Sequence, residues 1–149
     1  MNQETPALIK GRIGARRCAV QALYQWQMSG QDPNKILNEF VAERELRQAD
    51  REYFRLLIQE ISTHIQTLEE PLKNALDRPI AELTPVERAV LWIGAYELKF
   101  HPEIPWRVVI NEAVELTKLF GAEQAYKYVN GVLDKVARAL RSSDPSSRS

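Results

Sequence analysis

The sequence is 149 residues long, 44% hydrophobic and 27% charged, with 20 lysines and arginines balanced by 20 aspartates and glutamates. That is about one domain of chain with enough apolar side chain to build a core, which excludes general disorder. Cys18 is the only cysteine, so an internal disulfide and a multi-cysteine zinc site are excluded too. No stretch approaches the roughly 20 apolar residues of a membrane span, and the segment from Met1 to Gly14 lacks the apolar core of a signal peptide, so the expected compartment is the cytoplasm. The zero net charge is unevenly spread. Residues 1–30 hold four bases against one acid and residues 121–149 five against three, whereas residues 31–120 hold eleven against sixteen. Basic ends flank an acidic middle, so one surface suits a polyanion and another suits a basic protein.

Residues 1–14 read as a flexible basic arm carrying Lys10 and Arg12. From there Ala15, Cys18, Ala19, Ala22, Leu23 and Trp26 follow the period of an amphipathic helix, which places Cys18 as a small buried hydrophobe, and Gly30 supplies a stop. Asp32-Pro33 is an N-cap followed by a first-turn proline, opening a second helix with Ile36, Leu37, Phe40 and Val41 inward and an end near Leu46. From Asp50, another cap, the positions Phe54, Leu57, Ile58, Ile61, Ile65 and Leu68 predict one long central helix. Pro71 and Pro79 then punctuate the chain, leaving a short helical piece at Leu72–Leu76 and a turn at Ile80–Leu83.

Thr84-Pro85-Val86-Glu87 combines a capping box with proline at the first helical position, and the helix it opens runs to Phe100 before His101-Pro102 and Pro105 break it. A further helix spans Trp106 to Phe120 and closes at Gly121. The last carries Ala125, Val129, Val132, Leu133, Val136 and Leu140 inward. Asn130-Gly131 in its middle is ordinarily a hairpin signal, but no alternating pattern flanks it, and a glycine inside a packed helix lets a neighbouring backbone approach. The fold class is therefore all-α, and residues 142–149 are expected to be disordered.

The recognised spacings of nucleophile and base, metal cluster or phosphate cradle are absent, so no catalytic residue, metal or cofactor is assigned. His64 reads as a helix-packing side chain and His101 as a helix-end residue near the C-terminal dipole. Opposite the core stripe of the first helix, Arg17, Gln21, Tyr24 and Met28 fall within about 60° of one another, with Arg16 at the border. Guanidinium groups for phosphates, an amide for base edges and a ring for stacking describe an RNA-binding face, although a solvated helix face has the same pattern.

The run Ala15-Arg16-Arg17-Cys18-Ala19-Val20-Gln21-Ala22-Leu23-Tyr24 resembles the arginine-rich N-terminal motif of the NusB family. Glu82-Leu83, Val86-Glu87, Ala89-Val90-Leu91, Tyr96-Glu97-Leu98, Ile110-Asn111-Glu112-Ala113 and Phe120-Gly121-Ala122-Glu123 are similar to further family signatures. So is Val129-Asn130-Gly131-Val132-Leu133-Asp134-Lys135. Together they reach from Ala15 to Arg138, leaving out the arm, the acidic loop near Glu43 to Asp50 and the tail.

The resemblance implies about seven helices in two small bundles, with residues 15–141 as one RNA-binding domain. It implies a transcription antitermination factor that binds boxA RNA with NusE, a small-subunit ribosomal protein, and helps RNA polymerase through ribosomal RNA operons without catalysing a reaction. It places RNA on Arg12, Arg16, Arg17, Gln21, Tyr24, Gln124, Lys127 and Tyr128. Glu87, Leu91 and Trp106 are candidates for the protein partner. Read from the residues alone, Glu87 is a cap and Trp106 a packing aromatic. The arginine motif is sparser than the family's, which implies fewer phosphate contacts or help from Lys10, and Tyr128 stands where phenylalanine is familiar. Some members dimerise, so a homodimer is compatible. Two alternatives remain: a relative of the NusB-like module that targets ribosomal RNA methyltransferases, against which the length argues, and a helical adaptor that binds only proteins.

Overall fold

The computed structural model describes residues 5–43 and 49–142. Its helices are α1 (Pro6–Ser29), α2 (Pro33–Glu43), α3 (Arg51–Thr63), α4 (Ile65–Ala75), α5 (Pro85–Phe100), α6 (Trp106–Phe120) and α7 (Ala125–Leu140), with a 3-10 turn at Ile80–Glu82. Among the described residues there is no strand, and no helix is long and apolar enough to cross a membrane. The chain divides at Thr63/His64 into two compact units.

In the first unit, α1 begins nine residues earlier than the apolar stripe suggests. Thr5 accepts a hydrogen bond from the Leu8 N–H at 3.1 Å and Pro6 fills the first turn, so the expected flexible arm is helix from Pro6 onward. Gly11 and Gly14 let the chain entering α3 lie against this extension. The Asp50 N–H donates to the Gly11 carbonyl at 2.9 Å, and a Cβ on Gly14 would stand 3.2 Å from Ala49. At the other end Gly30 takes φ +70° and stops the helix, as its position predicts. Ala15, Ala19, Ala22 and Leu23 are buried, while Cys18 and Trp26 are only half-buried, so Cys18 is not the core residue its stripe suggests. Asp32 caps α2 through the Asn34 N–H at 2.9 Å, and Asp50 caps α3 through the Tyr53 N–H at 3.0 Å. Phe40 meets Phe54 with ring centroids 5.8 Å apart, joining α2 to α3. The expected end of α2 near Leu46 lies outside the described residues.

The long central helix expected from Asp50 to Leu68 is instead two. His64 leaves helical geometry at φ −110°, ψ 29°, just after the Ser62 and Thr63 hydroxyls have turned back to the Gln59 carbonyl at 3.2 and 2.7 Å. Pro71, expected to break the chain, sits inside α4, where the lost N–H costs one backbone bond and the helix continues to Ala75.

In the second unit α5 is buried at every position from Ala89 to Leu98. Such a helix needs both ends satisfied. At the start Thr84 and Glu87 form the expected capping box, the Thr84 N–H donating to Glu87 at 3.0 Å and the Glu87 N–H to Thr84 at 3.1 Å. At the finish buried Arg141 donates to the carbonyls of Glu97, Leu98, His101 and Ile104 at 2.5 to 3.1 Å. Asn130-Gly131 is helical within α7, but Gly131 has open space around it and admits no close neighbour. The glycine that does is Gly94 on α5, where a Cβ would stand 2.7 Å from Cδ1 of Leu133 on α7.

The two glycines should therefore respond oppositely. Gly131→Ala is expected to raise unfolding free energy by about 0.5–1 kcal/mol, and Gly94→Val to lower it by about 1–3 kcal/mol through overpacking. Urea denaturation of both variants checks this, and a destabilised Gly131→Ala would show that its surroundings are not open.

Candidate nucleic-acid interface

On α1 the expected face is present: Arg17, Gln21, Tyr24 and Met28 are all exposed, Tyr24 at 43% and Met28 at 62%. Large side chains left open on a helix that had buried positions available mark a surface for contact. Gln21 donates to the Arg17 carbonyl at 3.3 Å, which holds its amide along the helix. Arg16 departs from the expectation. It is buried to 4% exposure, its guanidinium 5.6 Å from the Tyr53 ring centroid on α3, so it offers the surface little charge. Half-buried Arg12 lies 4.6 Å from the same ring. Tyr53 thus gathers the two arginines that face α3, and Arg17, about 100° further round the helix than Arg16, keeps its charge outward.

In the second unit Gln124 and Lys127 are exposed and Tyr128 is half-buried. Gln124 precedes α7 with φ +74°, a left-handed backbone unusual for a non-glycine residue. The Tyr128 hydroxyl donates to Asp77 Oδ1 at 2.9 Å, Arg78 Nε donates to the same oxygen at 2.9 Å, and the Arg78 guanidinium lies 4.3 Å from the Tyr128 ring centroid. The Arg78 hydrogen bond, then the Tyr128 hydroxyl, holds the Asp77 carboxyl below its ordinary value of 3.8. Burial, then the bond to Asp77, pushes the Tyr128 hydroxyl up. Sequence reading missed Asp77 and Arg78, because a partner 51 residues away leaves no local signal.

Of the candidates for the protein partner, Glu87 is half-buried and engaged in the α5 capping box. Leu91 has no exposed surface and is a core residue of α5, which removes it as a contact. Trp106 is half-buried at the start of α6, with Arg107 over its ring at 4.8 Å. His101 ends α5 with Nδ1 2.8 Å from Glu103 and Nε2 3.1 Å from the Tyr96 hydroxyl, the helix-end role its position predicts. His64 packs on Phe100 with centroids 5.3 Å apart. Among the described residues no three His, Cys, Asp or Glu side chains gather to hold a metal.

The family model for the NusB family matches residues 14–138. The chain belongs to the NusB family. The transcription antitermination protein NusB of Alcanivorax borkumensis is 48% identical over 147 residues, covering 99% of this chain and 96% of that one. Its counterpart from Nitrosococcus oceani is 51% identical over 137 residues, covering 92% of each. Among solved structures, NusB in a complex of antitermination factors NusB and NusE with dsRNA is 30% identical with a TM-score of 0.76, over 88% of this chain and 98% of that one. T. maritima NusB, also 30% identical, gives 0.77 over 91% and 93%. The NusB match begins at Gly14, so the first two turns of α1 precede it.

The Tyr128 cluster sets a pH dependence. Because the folded Asp77 carboxyl titrates below its ordinary 3.8, its contribution is complete above that value and is lost as pH falls through the lowered one. An NMR titration should place the Asp77 midpoint below 3.8, and Tyr128→Phe should move it upward by removing one donor. An unmoved midpoint would show that the hydroxyl does not act on Asp77.

Proposed function

We propose that this chain is a transcription antitermination factor, a cytoplasmic protein that binds boxA RNA of ribosomal RNA operon transcripts together with NusE, within the antitermination complex of RNA polymerase. The observation that carries the reading is the likeness over nearly the whole chain to proteins named as antitermination factors, one of them solved with NusE and RNA. The exposed side chains agree with it. Arg17 and Lys127 suit phosphates, Gln21 and Gln124 suit base edges and Tyr24 suits stacking on unpaired bases, to which the half-buried ring of Tyr128 can add. With Arg16 largely buried, Arg12 half-buried and Lys10 exposed, phosphate binding rests on fewer cations than the sequence suggests. The likeness is to proteins named for antitermination, so the reading is one of binding.

NusE is the basic partner, and the acidic middle of the chain, Glu87 included, is where charge complementarity directs it. Glu87 also accepts the Thr84 N–H, so reversing its charge would break the cap as well. Glu87→Gln separates the two roles, since glutamine keeps a capping oxygen while losing the charge. Its association rate with NusE should fall and its melting temperature should stay close to the parent's; an unchanged rate would remove Glu87 from the docking surface.

RNA affinity should decline with salt at a slope of about −0.7 per phosphate contact on a log–log plot, and Arg17→Ala should shallow that slope by about the same amount. Fluorescence anisotropy with boxA and scrambled RNA, with and without NusE, checks this. A chain that binds NusE but neither RNA, alone or with NusE, would favour a protein-only adaptor, and a flat salt response would contradict the basic face.

A further inference from the structure

The second unit carries a groove of about 530 Å³ between α6 and α7 that neither the α1 face nor the Asp77–Arg78–Tyr128 cluster uses. Trp106, Ile110 and Asn111 line it from α6, and Tyr126, Lys127 and Asn130 from α7. Spacings of one, four and five residues on α6, and of one, three and four on α7, put each set on one side of its helix. The volume falls within the roughly 300–1,000 Å³ of ordinary small-ligand sites.

Its chemistry is mixed in a particular way. Tyr126 and Trp106 provide rings, each with one face already under a cation, the Lys118 ammonium 4.8 Å from the Tyr126 centroid and the Arg107 guanidinium 4.8 Å from that of Trp106, so a base stacks on the opposite face or against an edge. Asn111 and Asn130 are exposed amides, each able to donate and accept toward a base edge. The one carboxylate on the lining, Asp134, is held by Arg138 at 3.0 Å. The Trp106 indole N–H is buried with no acceptor among the described residues. An apolar peptide helix has no use for two amides and flanking cations, whereas an unpaired base uses rings, amides and cations together.

We propose that this groove holds one unpaired nucleobase of the bound RNA, stacked on an aromatic wall and edge-bonded by Asn130, with its phosphate on Lys127. The inference rests on the RNA-binding reading and extends it from the surface of α7 to the groove that α7 shares with α6. Lys127 belongs both to the groove and to the candidate RNA surface, so the two are continuous.

The test is a double-substitution cycle. A boxA RNA oligonucleotide is made in versions with each base in turn replaced by an abasic site, and affinities are measured for the parent, Tyr126→Leu, Asn130→Asp and Arg17→Ala. One abasic position should weaken the parent about tenfold, and that loss should vanish in Tyr126→Leu, which is itself about tenfold weaker for intact RNA. Asn130→Asp changes an exposed amide to an isosteric carboxylate without altering packing and should give the same pattern, which guards against a misfolded leucine variant. Losses that simply add at every abasic position overturn the proposal. So do groove variants that bind like the parent while Arg17→Ala is weakened, a result that would leave RNA binding itself intact. Groove variants that lose NusE and keep RNA overturn it in favour of a protein occupant. A parent that binds no RNA overturns both the groove and the reading beneath it.

Discussion

The second unit depends on completing α5, a helix buried from Ala89 to Leu98 whose last carbonyls are taken out of water with it. Arg141 closes it. Four carbonyls around the α5 C-terminus receive one guanidinium from the end of α7, a charge placed where the helix dipole favours it. Because Arg141 directly follows α7 while Glu97 and Leu98 lie on α5 and His101 and Ile104 just beyond it, the same bonds fasten the end of α7 to that of α5. Leu133 reaches into the space that Gly94 leaves, fixing the contact midway along both helices. The opposite half of α7 is thereby held on a rigid base, and it is that half which carries Tyr126, Lys127, Tyr128 and Asn130. A basic residue that composition assigns to an RNA surface is thus spent on the core, while its rigidity serves the residues that remain outside.

Much of the fold was legible because helix ends are local events. Thr84-Pro85-Val86-Glu87, Asp32-Pro33, Asp50 and Gly30 each stop or start a helix with atoms supplied within four residues. Thr5-Pro6 carries the same signature and shows that the supposed arm is helix, but no apolar stripe follows closely enough to draw attention to it. The break at His64 was illegible for the opposite reason. The apolar period runs on through Ile61 and Leu68, and both residues are buried, yet they serve different units.

The site was legible where exposure follows from helical geometry and obscure where it follows from packing. Arg17, Gln21 and Tyr24 face outward because the stripe of Ala15, Ala19 and Leu23 faces inward. Arg16 looked equivalent to its neighbour until Tyr53 claimed it, and that contact joins helices with no local sequence link. Leu91 has no outward face to offer a partner, and the apolar run from Ala89 to Ala95 is the signal that marks such a helix. The groove between α6 and α7 arises only when Trp106 and Tyr126 are brought to one surface.

The central claim is that RNA is met by α1 in the first unit and by the N-terminal half of α7 in the second. Ultraviolet cross-linking to boxA RNA bearing 4-thiouridine, followed by mass spectrometry of the peptides, tests it most directly. The account expects adducts on peptides containing Tyr24 and on those spanning Tyr126 to Asn130, with none on the buried run of α5. Adducts concentrated on α2 and α3, with α1 and α7 unmodified, would contradict it.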